Sequence, residues 1–117
     1  MKLNCIDYVN IYEHLSDDEI MVQHTTREFV DKEIIPSIDK HFEQGTFPKE
    51  LVRKFGDLGF LGMNLPQKYG CAGMTNVGYG LMCQEMERGD SGIRSFVSVQ
   101  GSLVMYPIYA YGNEAQK

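Results

Sequence analysis

Apolar residues recur every three or four positions along most of this chain, and short polar or glycine-rich stretches mark where each run starts and stops. Met21, Val22, Phe29, Val30, Ile34, Ile35 and Ile38 follow one another at helical spacing through a polar background, the pattern of an amphipathic helix. Its start is marked by "LSDDEI". Ser16 as N-cap and Glu19 three residues on form a capping box, and Leu15 and Ile20 occupy the two positions of a hydrophobic staple. Asp17 and Asp18 favour the positive end of the helix dipole. The pattern runs to about Glu43, and Pro36, which lacks a backbone donor, predicts a kink or an interruption within it.

"QGTF" reads as a turn. Pro48 suits a first helical position, and Leu51, Val52, Phe55 and Leu58 supply one face of a second helix that Gly59 stops. "LGMNLPQKYGCAGMTN" carries Pro66, Gly70 and Gly73, so residues 61–75 are expected to be irregular. Thr75 or Asn76 then caps a third helix, "VGYGLMCQEMERG". Gly78 and Gly80 cost that helix about 1 kcal/mol each relative to alanine, which predicts a closely packed neighbour. Residues 92–110 make a fourth helix. "YGNEAQK" reads as a glycine stop, an Asn113 N-cap and the first turn of a fifth. Sustained two-residue alternation is absent, so the fold class is all-α, a bundle of about four helices over residues 1–117. A domain rarely ends one turn into a capped helix, so the chain reads as the N-terminal piece of a longer protein.

The fourth helix has two unlike faces. At 100° per residue, Ser91, Ser95, Ser98 and Ser102 fall on one narrow stripe with Arg94 at its edge. Ile93, Phe96, Val97, Val99, Leu103 and Val104 lie opposite, and Gln100 falls among them, where it needs a partner. Two readings of Arg94 remain open at this level. The serines could permit close helix packing while the arginine reaches solvent along its own stem. Alternatively, hydroxyls and a guanidinium face a pocket, where planar paired donors suit a carboxylate or phosphate.

Composition narrows the function classes. The 117 residues are 43% hydrophobic and 23% charged with a net charge of −5, the profile of one soluble globular domain. An acidic chain without a Lys/Arg cluster is a poor binder of nucleic acid or of anionic membranes. No apolar run approaches the roughly 20 residues of a membrane span, and no secretory leader is apparent. Cys5, Cys71 and Cys83 are odd in number and far apart, which points to reduced thiols in a cytoplasmic setting. His14, His24 and His41 lack metal-ligand spacing, so no metal site is expected. Neither GxGxxG nor GxxxxGK[ST] occurs.

Almost the whole chain resembles the N-terminal helical domain of the acyl-CoA dehydrogenases. "LSDDEIMVQHTTREFVDKEIIP", "FPKELVRKFGDLGFLGMNLPQKYG" and "YGNEAQK" follow that family segment by segment. "YGCAGM", "EMERGDSGIRS" and "SVQGSLVMYPIYAYG" are similar to its glutaryl-CoA branch. The resemblance implies an FAD-dependent oxidoreductase of three parts, a homotetramer when complete. It would abstract a proton α to the thioester, transfer hydride from the β carbon to flavin, and in this branch release CO₂ to give crotonyl-CoA. The catalytic base and most flavin contacts would lie outside this chain, leaving the piece inactive and flavin-free alone. By the same resemblance Arg94 holds the distal carboxylate of a glutaryl-CoA substrate, Ser95 and Ser98 stand nearby, and Glu87 orients the arginine. Glu85 and Glu87 are expected to be paired or solvated rather than catalytic. The competing expectation is a free-standing helical module that binds an acyl group or a protein without chemistry of its own.

Overall fold

A computed structural model describes residues 8–117, which form four helices and, among the described residues, no strand. Helix α1 spans residues 17–44 and α2 spans Leu51–Asp57; α3 spans Asn76–Gly89 and α4 spans residues 91–111. Single 3₁₀ turns lie at Ile11–His14 and Gln67–Tyr69. Cys5 falls outside the described residues, and Cys71 and Cys83 are free thiols.

The start of α1 is the expected capping box. The Glu19 N–H donates to Ser16 Oγ at 3.3 Å, and the Ser16 N–H donates to Glu19 Oε2 at 2.9 Å. Pro36 does not break the helix. The turn before it, Val30–Ile34, widens to a π turn in which the Ile35 N–H donates to the Val30 carbonyl five residues back. A proline ring collides with the carbonyl four residues behind it, and a wider turn moves that carbonyl aside. Helix α4 meets Pro107 in the same way. Its segment Gln100–Met105 is a second π turn, closed by the Tyr106 N–H on the Gly101 carbonyl.

Helix α2 starts later than the sequence suggests. Pro48 is buried in the preceding turn, where its carbonyl accepts the Leu51 N–H at 3.0 Å. The helix ends as expected. Gly59 takes φ +72°, the Phe60 N–H reaches back to the Phe55 carbonyl at 2.9 Å and the Gly59 N–H to Gly56 at 3.0 Å. That is a Schellman stop. The irregular segment after it is pinned by Gly73 N–H on Leu65 O and Met74 N–H on Met63 O, both 2.9 Å.

Phe29, Val30 and Ile34 of α1 pack with Leu51 and Phe55 of α2, Phe60 and Met63 of the loop, Met82 and Met86 of α3, and Ile93 and Val97 of α4. The Phe29 ring meets Phe55 and Phe60 edge-on at 5.7 and 5.6 Å, a favourable aromatic geometry. Of the two suspect glycines in α3, only Gly78 is crowded: a Cβ there would lie 2.5 Å from Met74 Cγ, whereas Gly80 faces open space. Thr75, not Asn76, caps α3 by accepting the Gly78 N–H at 3.0 Å. Asp90 caps α4 by accepting the Ile93 N–H at 2.8 Å.

The apolar side of α4 divides in two. Ile93 and Val97 are buried and Phe96 is half-buried, but Val99, Leu103 and Val104 remain 45%, 69% and 42% exposed. The core lies under the first half of the helix only. Over the second half the close neighbour is the loop at Gly62, whose backbone nitrogen would lie 3.4 Å from a Cβ on Gly101. Gln100 is half-buried there, with no side-chain hydrogen bond among the described residues. After α4, Asn113 and Gln116 cap one another's backbone N–H groups at 2.9 and 3.1 Å, and Tyr69 Oη donates to Glu114 at 3.0 Å. The expected first turn of a fifth helix is therefore formed and tied to the loop.

Candidate functional site

Tyr79, Cys83 and Glu87 stand four residues apart on α3 and so share one face. That face meets the serine stripe of α4. At one end Arg94 Nε donates to Glu87 Oε2 at 2.6 Å, and Arg94 Nη1 donates to Ser98 Oγ at 3.0 Å. Ser98 in turn donates to the Ser95 carbonyl at 3.1 Å, which orients its oxygen toward the guanidinium. Ser91 Oγ donates to the other oxygen of Glu87, and Ser102 Oγ donates to the Ser98 carbonyl.

Arg94 is about one-third exposed and Glu87 about one-half. Glu87 is held below the usual carboxylate range by the hydrogen bonds from Arg94 and then Ser91. Arg94 is raised further by the bond to Glu87. Both groups are charged at neutral pH. Tyr79 is pushed up to about 12, chiefly by burial, and burial likewise raises the Cys83 thiol. The deep end of the seam therefore stays uncharged while the Arg94 end carries an ion pair.

The four residues singled out by sequence are brought together in part. Glu87, Arg94 and Ser98 form one connected network. Ser95 joins through its backbone carbonyl, and its hydroxyl has no hydrogen-bond partner among the described residues. Ser91, Tyr79 and Cys83 belong to the same seam. The four-residue spacing of Tyr79, Cys83 and Glu87 was the signal that could have found the α3 side.

The guanidinium keeps donors in reserve. Arginine carries five N–H donors, and two are engaged here, one on Nε and one on Nη1. Both N–H groups of Nη2 and one of Nη1 have no partner among the described residues. What this leaves is a planar set of charged donors fit for an added carboxylate.

The chain also matches known proteins. Residues 16–117 match the family model described as acyl-CoA dehydrogenase, N-terminal domain. The chain belongs to the acyl-CoA dehydrogenase family. A crystal structure of a glutaryl-CoA dehydrogenase from Mycobacterium smegmatis in complex with FADH2 is 53% identical, with a TM-score of 0.88 over 92% of this chain and 28% of that one. A second structure of glutaryl-CoA dehydrogenase from that organism is 51% identical, also at TM-score 0.88, over 95% of this chain and 29% of that one. An acyl-CoA dehydrogenase of Bacillus subtilis is 34% identical over 104 residues, 89% of this chain and 27% of that protein. This acyl-CoA dehydrogenase domain thus spans about a quarter of the length of the curated relatives it matches. The all-α expectation is met. Among the described residues no helix is long and apolar enough to cross a membrane, and no cluster of His, Cys, Asp and Glu could hold a metal.

Proposed function

We propose that this domain supplies the acid-recognition wall of a flavin-dependent dehydrogenase acting on a dicarboxylic acyl-CoA, with glutaryl-CoA as substrate. The observation that carries the reading is Arg94. It is fixed on two sides by Glu87 and Ser98 while three N–H groups remain open. A guanidinium so placed attracts a carboxylate at the far end of an acyl chain. A neutral tail would leave those donors unpaired once water is excluded, and that loss separates diacid from monoacid. Similarity to glutaryl-CoA dehydrogenases at 51–53% identity supports the choice of diacid.

Within this division of labour Arg94 binds the distal carboxylate, Ser98 and Glu87 orient the guanidinium, and the Ser95 hydroxyl is available to the same ligand. The reaction would be α,β-dehydrogenation followed by loss of CO₂, and its proton-abstracting base lies outside this chain. The complete protein would be a homotetramer that binds the flavin largely through other segments, and the 117-residue piece would be inactive and flavin-free by itself.

Arg94→Gln in the complete enzyme tests this reading. Stranding one partner of a desolvated charge pair costs about 2–5 kcal/mol. The variant should therefore lower kcat/KM for glutaryl-CoA by roughly 30- to 4,000-fold. Turnover of pentanoyl-CoA, a neutral acyl-CoA of equal length, should suffer far less. Equal losses on the two substrates would show that Arg94 serves the fold or the cofactor, and the reading would fail.

A further inference from the structure

Arg94 and Glu87 do not pair in the geometry open to them. The Nε–H and one N–H of Nη2 lie along one edge of a guanidinium, and that edge matches both oxygens of a carboxylate in a two-bond fork. The same domain shows the fork fully formed elsewhere: Arg27 donates from Nε to Glu85 Oε2 at 3.0 Å and from Nη2 to Glu85 Oε1 at 2.7 Å. Arg94 instead meets Glu87 through Nε alone. The second oxygen of Glu87 is instead directed to Ser91, the first residue of α4, whose hydroxyl donates to Oε1 across the corner between the two helices.

Capping does not require that hydroxyl. Asp90 already caps α4 through the Ile93 N–H, and Ser91 is exposed. Its side chain has one hydrogen-bond partner among the described residues, and that partner is Glu87.

We propose that Ser91 is a positioning residue of the acid subsite: by holding Glu87 Oε1 it keeps that carboxylate from closing a fork on Arg94, and so reserves Nη2 for the carboxylate of the ligand. The proposal rests on the diacid reading above and adds a competitor to it, since Glu87 and the substrate tail present the same group to the same donors. Without Ser91, Glu87 turns, takes Nε and Nη2 together, and the ligand must displace a carboxylate of the protein. Ser91 acts through Glu87 and touches no reacting atom.

Two measurements test this. In the chain carrying ¹⁵N-labelled arginine, Ser91→Ala should slow solvent exchange of the Arg94 Nη2 protons by at least about threefold, as a second charge-assisted bond forms. Ser91→Thr, which keeps the hydroxyl, should leave that exchange unchanged. In the complete enzyme, Ser91→Ala should raise KM for glutaryl-CoA about five- to tenfold, the worth of roughly one hydrogen bond. Its kcat should stay within about twofold, and pentanoyl-CoA kinetics should not move. In a Glu87→Gln background, where the competing anion is gone, adding Ser91→Ala should change KM less than about twofold. Unaltered Nη2 exchange in Ser91→Ala, or the same KM increase with and without Glu87, would overturn the proposal. If the exchange slows as expected but the unmodified enzyme shows no preference for glutaryl-CoA over pentanoyl-CoA, the diacid reading fails while the Ser91 restraint on Glu87 stands.

Discussion

Helix α3 carries two glutamates, Glu85 and Glu87, that point to different neighbours and end in different states. Glu85 turns toward α1 and is 1% exposed. Its two oxygens accept from Arg27 Nε and Nη2, from Arg88 Nε at 3.0 Å and from Gln23 Nε2 at 3.2 Å. Arg88 goes on to Asp31 at 2.8 Å. Burial alone would raise the Glu85 pKa, yet the two arginines and Gln23 outweigh it and the group is held low. Glu87 turns toward α4, half-exposed, and shares an arginine that still has donors to give. A buried acid whose oxygens are all answered belongs to the fold. A half-open pair with donors to spare is, on the proposed reading, open to a ligand.

The largest expected effect would break the comparison at its structural end. Glu85→Ala strands two arginines and Gln23 at the α1–α3 contact and should cost about 3 kcal/mol in urea unfolding, somewhat less than for fully buried partners because both arginines reach solvent. Glu87→Ala, which removes a half-exposed partner, should cost far less. Similar losses for the two would erase the distinction.

Acid titration sharpens it. The folded pKa of Glu85 is lowered, so its contribution is complete above the ordinary carboxylate range, about 4.3, and is lost as pH falls through the lowered folded value. The stability gap between the wild-type chain and Glu85→Ala should therefore close as pH drops below about 4. A gap that widened on acidification would mean that Glu85 is protonated in the fold.

Two smaller effects test the other glutamate's partners. Ser98→Ala removes one acceptor from Arg94 and should shift the preference for glutaryl-CoA over pentanoyl-CoA by about 1 kcal/mol, read as the ratio of the two kcat/KM values. Arg94→Gln, severe for diacid turnover on the proposed reading, should leave the urea unfolding midpoint nearly unchanged, as expected of a partly exposed pair. A larger stability loss would move Arg94 to the structural side.

The sequence carried the local decisions well. Ser16 with Glu19, Gly59 after α2, and the Asn113 cap are all choices settled within a few residues, and each took the expected form. Pro36 announced a difficulty but not its solution, because a kink and a π turn relieve the same clash. The cap of α4 was harder to read, since Asp90 and Ser91 are adjacent and either could serve. Burial of Glu85 was not legible at all: its partner Arg27 lies 58 residues away, and helical periodicity does not show which acid on α3 will face it. On the candidate site, resemblance selected Arg94, Ser95, Ser98 and Glu87, while Ser91 became visible only through its bond to Glu87.

The wide turn at Gln100–Met105 has a consequence for the phase of α4. A π turn acts as one extra residue in an α-helix, a slip of roughly 100° between the segments on either side. Before the slip, Ile93 and Val97 face the core while Arg94 and Ser98 meet α3; beyond it, Tyr106 and Ile108 are 50% and 43% exposed. One rod thus keeps two headings, each with its own neighbour. Deleting a single residue between 100 and 105 would remove the extra residue and leave a regular helix with both headings kept. Closing the turn at full length would instead swing the outward apolar surface by roughly 100° while Arg94 stayed where it is.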